Sequence, residues 1–261
     1  MATYAVSDLH GQYEAFEAGL KKIEFNDKDE LYVIGDAIDR GSGGIKILQH
    51  VQQADNMDLI IGNHEFMMLN AVDPNGKPKC NGNDEILWLY YNGGSATFKE
   101  YKKLKDQTRK SLLFWLNRRY VIKTLEINGK KFCLTHSYYD EECENKQYYE
   151  LGYRDIWNVV WKSQFRHDAD TRAADIYKDY DHTFITGHVP VMSVMREYEY
   201  RSDFNELRIY EKGNLIDIDG ACGLGYYPGL HNGAIFLRLD DMKVFPVLLE
   251  NIEKEKATNN G

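Results

Sequence analysis

One arrangement recurs along this 261-residue chain and limits what it can fold into. A short apolar run ends, a small residue follows, and a side chain able to ligate a metal comes directly after it. Tyr4-Ala5-Val6 leads through Ser7 to Asp8 and His10, and Tyr32-Val33-Ile34 leads through Gly35 to Asp36. Leu59-Ile60-Ile61 leads through Gly62 to Asn63 and His64. Phe132-Cys133-Leu134 leads through Thr135 to His136, and Phe184-Ile185-Thr186 leads through Gly187 to His188. Such apolar runs, closed by small residues, read as buried strands. Helical periodicity lies between the first three: Phe16, Leu20 and Ile23 share one face, then Ile45, Leu48 and Val51, then Phe66 to Leu69. Strand, helix, strand, helix, strand, helix implies parallel strands with right-handed crossovers, and so an α/β fold.

Residues 84–119 read as all-helical. A hairpin follows, Val121 to Ile127 and Lys131 to Thr135, joined by Asn128-Gly129, a pair suited to a tight turn. Strand-like stretches at 183–186, 193–200, 206–211, 215–218, 234–238 and 244–249 make the second half β-rich. The segment 138–180, dense in Tyr, Asp and Glu, is expected to be an irregular or helical insertion near the site. With no repeat and no linker, 1–250 reads as a single domain and 251–261 as a flexible tail.

The chain has 32 Lys plus Arg against 41 Asp plus Glu, a formal charge of -9. No field then draws polyanions in, which argues against nucleic-acid and acidic-membrane partners, although a local metal site can reverse the sign. Nothing approaches 18 consecutive apolar residues, and the opening MATYAVSDLH lacks the pattern of a leader, so neither a span nor a signal peptide is expected. Cys80, Cys133, Cys143 and Cys222 form no C-x-x-C pair and read as reduced thiols of a cytoplasmic protein. Cys133 is expected in the core and Cys143, among charges, at the surface.

In open α/β sheets, ligands bind beyond the carboxyl ends of the strands. Five strand ends could thus deliver Asp8, His10, Asp36, Asn63, His136 and His188 to one crevice. Oxygen and imidazole donors without thiolate suit Mn, Fe or Zn rather than Ca. Six donors exceed the needs of one ion with open positions and fit two ions sharing a carboxylate, as used in phosphoester hydrolysis. Taken alone, His136 and His188 read as satisfied polar residues; joined to the other strand ends they read as ligands. Asp219 reads as a turn residue, and His50, His167, His182 and His231 as structural. No phosphate-binding glycine loop, dinucleotide turn or nucleophile elbow is present.

SDLHG (7–11), GDAIDRG (35–41) and GNHE (62–65), spaced 28 from Asp8 to Asp36 and 27 from Asp36 to Asn63, resemble the metallophosphoesterase signature. The DRG ending and the GNHE form are similar to the phosphoprotein phosphatase branch, with its bacterial and phage serine/threonine phosphatases. Trp88 with Asn92-Gly93-Gly94 and Thr97 resembles an element of the bacterial members, and THS (135–137) and TGH (186–188) match the later histidine motifs. The resemblance spans roughly residues 3 to 220; Ser7 stands where the first motif usually has Gly.

The resemblance implies a calcineurin-like four-layer β-sandwich of two mixed sheets flanked by helices. It places one divalent metal on Asp8, His10 and a bridging Asp36, and the second on Asp36, Asn63, His136 and His188, with Mn foremost and Fe or Zn as the other choices. Arg40 and Asn63 would bind phosphate oxygens. Arg166 is taken as the second phosphate-binding arginine, since Lys162-Ser163 occupy its usual place after Trp161. His64, held by Asp39, would be the general acid, while a metal-bridging hydroxide attacks phosphorus in line.

The first substrate implied is a phosphoserine or phosphothreonine protein. The alternative is diadenosine tetraphosphate or another nucleotide phosphoester, a phosphorylated small molecule. A non-catalytic metal-binding scaffold comes third, since it predicts loss of His64, Asp39 or a ligand and all are present. Both catalytic readings share the metal core, so they differ in the pocket wall, within 84–119 and 138–180, where a nucleotide site would want an aromatic stacking platform.

Overall fold

A computed structural model describes residues 1–79, 82–163, 177–198 and 206–259. Within them, ten strands form two five-stranded mixed sheets. In the first, β1 (Thr3–Val6), β2 (Glu30–Ile34) and β3 (Met57–Ile60) run parallel. Strand β9 (Gly233–Arg238) pairs antiparallel with the other side of β1, and β10 (Lys243–Leu248) with β9. The second sheet comprises β4 (Ile122–Ile127), β5 (Lys130–Thr135), β6 (Thr183–Thr186), β7 (Tyr210–Lys212) and β8 (Leu215–Asp217) in the order β4-β5-β6-β8-β7. Here β5, β6 and β8 are parallel. Helices α1 (Tyr13–Lys22), α2 (Gly44–Gln53) and α3 (Asn63–Ala71) follow the first three strands, as the periodicity predicts.

The two-residue period of the strands sorts their side chains into layers. Ala5, Ile34, Ile60, Ile235 and Leu237 of the first sheet form one buried cluster with Phe132, Leu134, Ile185 and Ile216 of the second. Their neighbours Tyr4, Val6, Val33 and Leu59 point the other way, into a cluster with Phe16, Ile45, Leu48 and Val51 of the helices. The result is the expected sandwich, two mixed sheets face to face with helices outside.

The stretch 84–119 is helical as expected: α4 (Asn83–Ile86), a π-helical turn Leu87–Tyr91, α5 (Gly94–Lys103) and α6 (Asp106–Leu116). The β4–β5 hairpin turns at Asn128 and Gly129, with φ of 52° and 75°, the left-handed pair that this turn requires. Within 138–180 the chain makes two 3-10 turns and then α7 (Tyr153–Trp161).

Several expectations need correction. Residues 193–198, read as strand, belong to α8 (Val191–Tyr198); buried Val191, Val194 and Met195 recur at the i, i+3, i+4 spacing of a helix. The strand expected over 206–211 begins only at Tyr210. The supposed tail is a helix, α9 (Leu249–Asn259), because Leu249 and Ile252, three apart, bury one side of it. Cys143 is buried at 1% exposure: its neighbours Glu141 and Glu142 face outward from a 3-10 turn while the thiol packs inward. Cys80, Arg166 and His167 lie outside the described residues. No described helix is long and apolar enough to cross a membrane.

Candidate metal centre and active site

Each predicted ligand stands where its strand stops. Past β1 the backbone turns through left-handed conformations at Asp8 (φ 52°) and His10 (φ 42°), and past β2 at Gly35 (φ 72°) and Asp36 (φ 52°). Asn63 opens α3 directly after β3, His136 follows β5, and His188 (φ 73°) follows β6. The parallel strands β1, β2 and β3 of one sheet, and β5 and β6 of the other, thus aim their carboxyl ends at one place. The small residues are required by contact. A Cβ on Gly187 would lie 2.0 Å from Asp8 Oδ2, and one on Gly35 would lie 2.5 Å from His136 Nδ1. Left-handed backbone at non-glycine residues costs roughly 1–2 kcal/mol each, strain that the surrounding fold must hold.

The donors form two groups that share Asp36. In one, Asp36 meets His136 and His188, and in the other it meets His10 and His64, the donor atoms of each group lying within 4.8 Å of one another. His10 Nε2 is 3.7 Å from Asp36 Oδ2 and 3.9 Å from Asp8 Oδ1. His136 Nε2 is 3.4 Å from Asp36 Oδ1 and 2.9 Å from Asn63 Oδ1, and His188 Nδ1 is 3.0 Å from the same Asn63 oxygen. His10 Nδ1 lies 3.2 Å from the Ile38 carbonyl and His136 Nδ1 lies 3.0 Å from that of Ile34. A carbonyl only accepts, so each Nδ1 carries a proton and each Nε2 faces the crevice, where it offers a lone pair to a metal once its own proton is lost. These Nε2 atoms face carboxylate and amide oxygens at 2.9–3.9 Å, contacts that call for a proton or a metal ion between them.

The protein groups alone register this demand. Burial by itself would lower the His136 pKa, but the charges of Asp36 and Asp8 override it and hold the imidazole up at about 10. Burial would likewise raise Asp36, yet His136, His64 and His10 around it hold it well below the usual carboxylate range. Burial lifts Asp8 to about 6 and pushes His188 down to about 3. These residues fit two divalent ions bridged by Asp36, with oxygen and imidazole donors and no thiolate.

His64 and Asp39 are placed together as expected. His64 Nδ1 donates to Asp39 Oδ2 at 2.6 Å, both side chains sealed from solvent, which leaves Nε2 on the crevice side, 3.7 Å from Asp36 Oδ2. Burial opposes protonation of this imidazole, but Asp36 and then Asp39 prevail, and its pKa is raised. The same Asp39 oxygen accepts the indole N–H of buried Trp88 at 2.7 Å. Thr97 Oγ1 accepts from Asp39 N, and the Gly93 carbonyl accepts from Arg40 N. The element from Trp88 to Thr97 therefore clamps two consecutive left-handed residues, Asp39 (φ 72°) and Arg40 (φ 64°). Arg40 stands exposed at the rim, its guanidinium packed on Gly223.

Around these groups lies a cleft of about 250 Å³ bounded by His10, Asp36, Asn63, His64, Trp161 and His188, with Arg40 and Asn92 at its edges. Three contributors had no assigned place in the sequence reading. Glu65 accepts backbone N–H bonds from Asp36, Ala37 and Gly62 at 2.9, 2.9 and 3.0 Å, fastening the loop after β2 to the start of α3. Its signal was the three-residue step from Gly62, the spacing of a capping box. Asp219, read as a turn residue, is 3% exposed and lines the cleft together with Ala221, Gly223 and Leu224. It does turn the chain, accepting from Ala221 N at 2.7 Å, but it also repeats the pattern of an acid just beyond a strand end. Trp161 meets the His188 ring edge-on at 6.2 Å. Tyr226 and Tyr227 are exposed and take no part in the lining.

The description "Calcineurin-like phosphoesterase" matches residues 1–218. The chain belongs to that family. It is 41% identical over 180 residues to the "Bis(5'-nucleosyl)-tetraphosphatase, symmetrical" of Escherichia coli O17:K52:H18 (strain UMN026), a match covering 67% of this chain and 57% of that protein. A protein of the same name from Buchnera aphidicola subsp. Acyrthosiphon pisum (strain APS) is 38% identical over 71 residues, 26% of each chain. The chain thus spans less than two thirds of the length of these curated relatives. Among solved structures it is similar in fold to a protein provisionally named as a diadenosine tetraphosphatase, with TM-score 0.57, 13% identity, and 94% and 92% of the two chains covered. It is also similar to the cold-active protein-tyrosine phosphatase of a psychrophilic Shewanella species, with TM-score 0.50, 16% identity, and 94% and 80% covered.

Proposed function

We propose that this chain is a metal-dependent phosphoric ester hydrolase that cuts dinucleoside polyphosphates, splitting a tetraphosphate bridge between its two central phosphates. The hydrolase reading is carried by the two donor groups that converge on Asp36, with Arg40 beside them. The choice of substrate is supported by the relatives named symmetrical tetraphosphatases, which favour a small phosphorylated molecule over the phosphoprotein that the motifs put first. For the metal we propose Mn, on a donor set of imidazole, carboxylate and amide oxygen. Buried free thiols at Cys133, Cys143 and Cys222 support a reducing compartment such as the cytoplasm.

When bound, the ions supply Lewis acidity toward phosphate oxygens and lower the pKa of water to roughly 7. The chain's own groups do the rest. Arg40 can grip two phosphate oxygens of the bridge at once, which Lys cannot. Asn63 and His188 line the same cleft. Asp39 accepts from Nδ1 and favours the imidazolium form of His64, whose second proton, on Nε2, is directed to the departing oxygen. In net terms water adds across one P–O–P bond, and two nucleoside diphosphates leave.

The test is product release by Mn-loaded protein from diadenosine tetraphosphate and from a phosphoserine peptide at equal concentration. ADP as the sole nucleotide product, with the peptide cleaved far more slowly, is the expected result. Preference for the peptide would overturn the substrate and leave the metal assignments standing.

A further inference from the structure

The metal cleft accounts for phosphates and leaves the nucleosides without a seat. Two helices end on its rim: the π-helical turn that follows α4 is capped by Asn92, and α7 ends at Trp161, both residues lining the cleft. The beginnings of the two helical stretches are tied together, since Tyr153 donates to Asp84 at 2.9 Å. The stretches therefore run side by side away from the metals, for about 12 Å along α7 at a rise of 1.5 Å per residue.

On α7 the residues at 153, 157 and 161 are Tyr, Trp and Trp, a stripe at the i, i+4, i+8 spacing that keeps them on one face. Ile156, Val159 and Val160 supply the buried face and hold the helix down. Trp161 lies against His188, and Trp157 stacks on Trp161 with centroids 6.5 Å apart and planes 29° from parallel. Trp157 is 41% exposed, a large aromatic surface that the described residues leave uncovered. The Trp161 indole N–H is closed to solvent and meets no acceptor among the described residues, and an indole nitrogen can only donate.

Resting on the proposed function, we infer that Trp157, one turn outward from Trp161, is the stacking platform for one nucleobase of the dinucleotide. An indole face accepts any base, so the platform sets affinity for nucleosides as a class without choosing among bases. It separates this site from one built for a phosphorylated side chain, which has no second ring to stack.

The experiment uses hydrolysis of p-nitrophenyl phosphate by full-length Mn-loaded protein, inhibited by ADP or by inorganic pyrophosphate. Stacking of one base is worth roughly 5- to 150-fold in affinity, so ADP should inhibit more tightly than pyrophosphate by a factor in that range. In Trp157→Ala that advantage should vanish, with basal p-nitrophenyl phosphate turnover unchanged, and Trp157→Tyr should restore most of it. The KM for diadenosine tetraphosphate should rise by the same factor at nearly constant kcat. An ADP advantage that survives in Trp157→Ala overturns the platform, as does an equal loss on p-nitrophenyl phosphate, which marks a structural role. A wild-type protein that binds ADP through Trp157 yet leaves the dinucleotide uncut overturns the proposed function and supports the base site.

Discussion

Replacing Asp39 by Asn tests the assignment of His64 because it removes a charge while keeping a shape. Asp39 Oδ2 accepts two donors, His64 Nδ1 at 2.6 Å and Trp88 Nε1 at 2.7 Å, whereas Oδ1 is buried and meets no hydrogen-bond partner among the described residues. An asparagine can put its oxygen in the Oδ2 place and its amide in the Oδ1 place, so both donors keep an acceptor. What it loses is the charge assistance of a sealed hydrogen bond, worth roughly 1.5–3 kcal/mol, or about a 10- to 150-fold drop in the imidazolium population of His64. The assay is kcat/KM from pH 5 to 9 on an alkyl phosphate and on diadenosine tetraphosphate, with bound metal measured in parallel. An alkoxide leaves only if protonated, so the alkyl substrate should lose activity by about that factor; a diphosphate leaves well unaided and should lose little. The sign in pH follows from the raised pKa of His64. The acid form is present below that pKa, activity on the alkyl substrate falls as pH rises through it, and in Asp39→Asn the falling limb moves to lower pH. The associated stability has the same sign, complete below the unfolded value near 6.5 and lost as pH rises through the folded pKa. Equal losses on both substrates, or loss of metal along with activity, would refute the role given to His64.

Two further perturbations address the frame around that pair. A Cβ at Gly94 would sit 2.6 Å from the Trp88 ring, so Gly94→Ala overpacks the clamp on Asp39; the expected cost is roughly 1–3 kcal/mol, a calorimetric midpoint lower by about 2–12 °C, and reduced turnover. An unchanged midpoint with full activity would show that Trp88 is free to move. Chelation by EDTA should abolish turnover and lower the melting midpoint, because an ion at a hundred times its Kd contributes about 2.7 kcal/mol, and Mn should restore both. Identical melting curves with and without EDTA would contradict a structural share for the metals.

The convergence of Asp8, His10, Asp36, Asn63, His136 and His188 was legible because each stands at or just past a strand that ends in a small residue. Packing explains the small residues, as at Gly187 against Asp8. Asp219 escaped because an acid before glycine is the commonest signature of a turn, and it is one; its second role depends on β8 lying beside β6, which no local pattern reveals. Strand and helix were confused over 193–198, where the buried Val191, Val194 and Met195 obey the longer, helical period. Tail and helix were confused after Glu250, where only Leu249 and Ile252 carry the apolar signal. The aromatic platform could be expected by kind but not by position, since 19 tyrosines and 4 tryptophans give no ranking until one of them is seen against His188.

Strand β1 lies in the middle of its sheet, between β2 and β9, although among the ten described strands it comes first along the chain and β9 next to last. During synthesis its second edge stays bare until residues 233–238 emerge, and His136 and His188 arrive long after Asp8, His10 and Asp36. A nascent chain therefore carries an acidic half-site beside an unpaired strand edge, a combination that invites both stray cations and intermolecular pairing. Completion of the sheet and completion of the ligand set both wait on the C-terminal half, so a truncated product is left with neither.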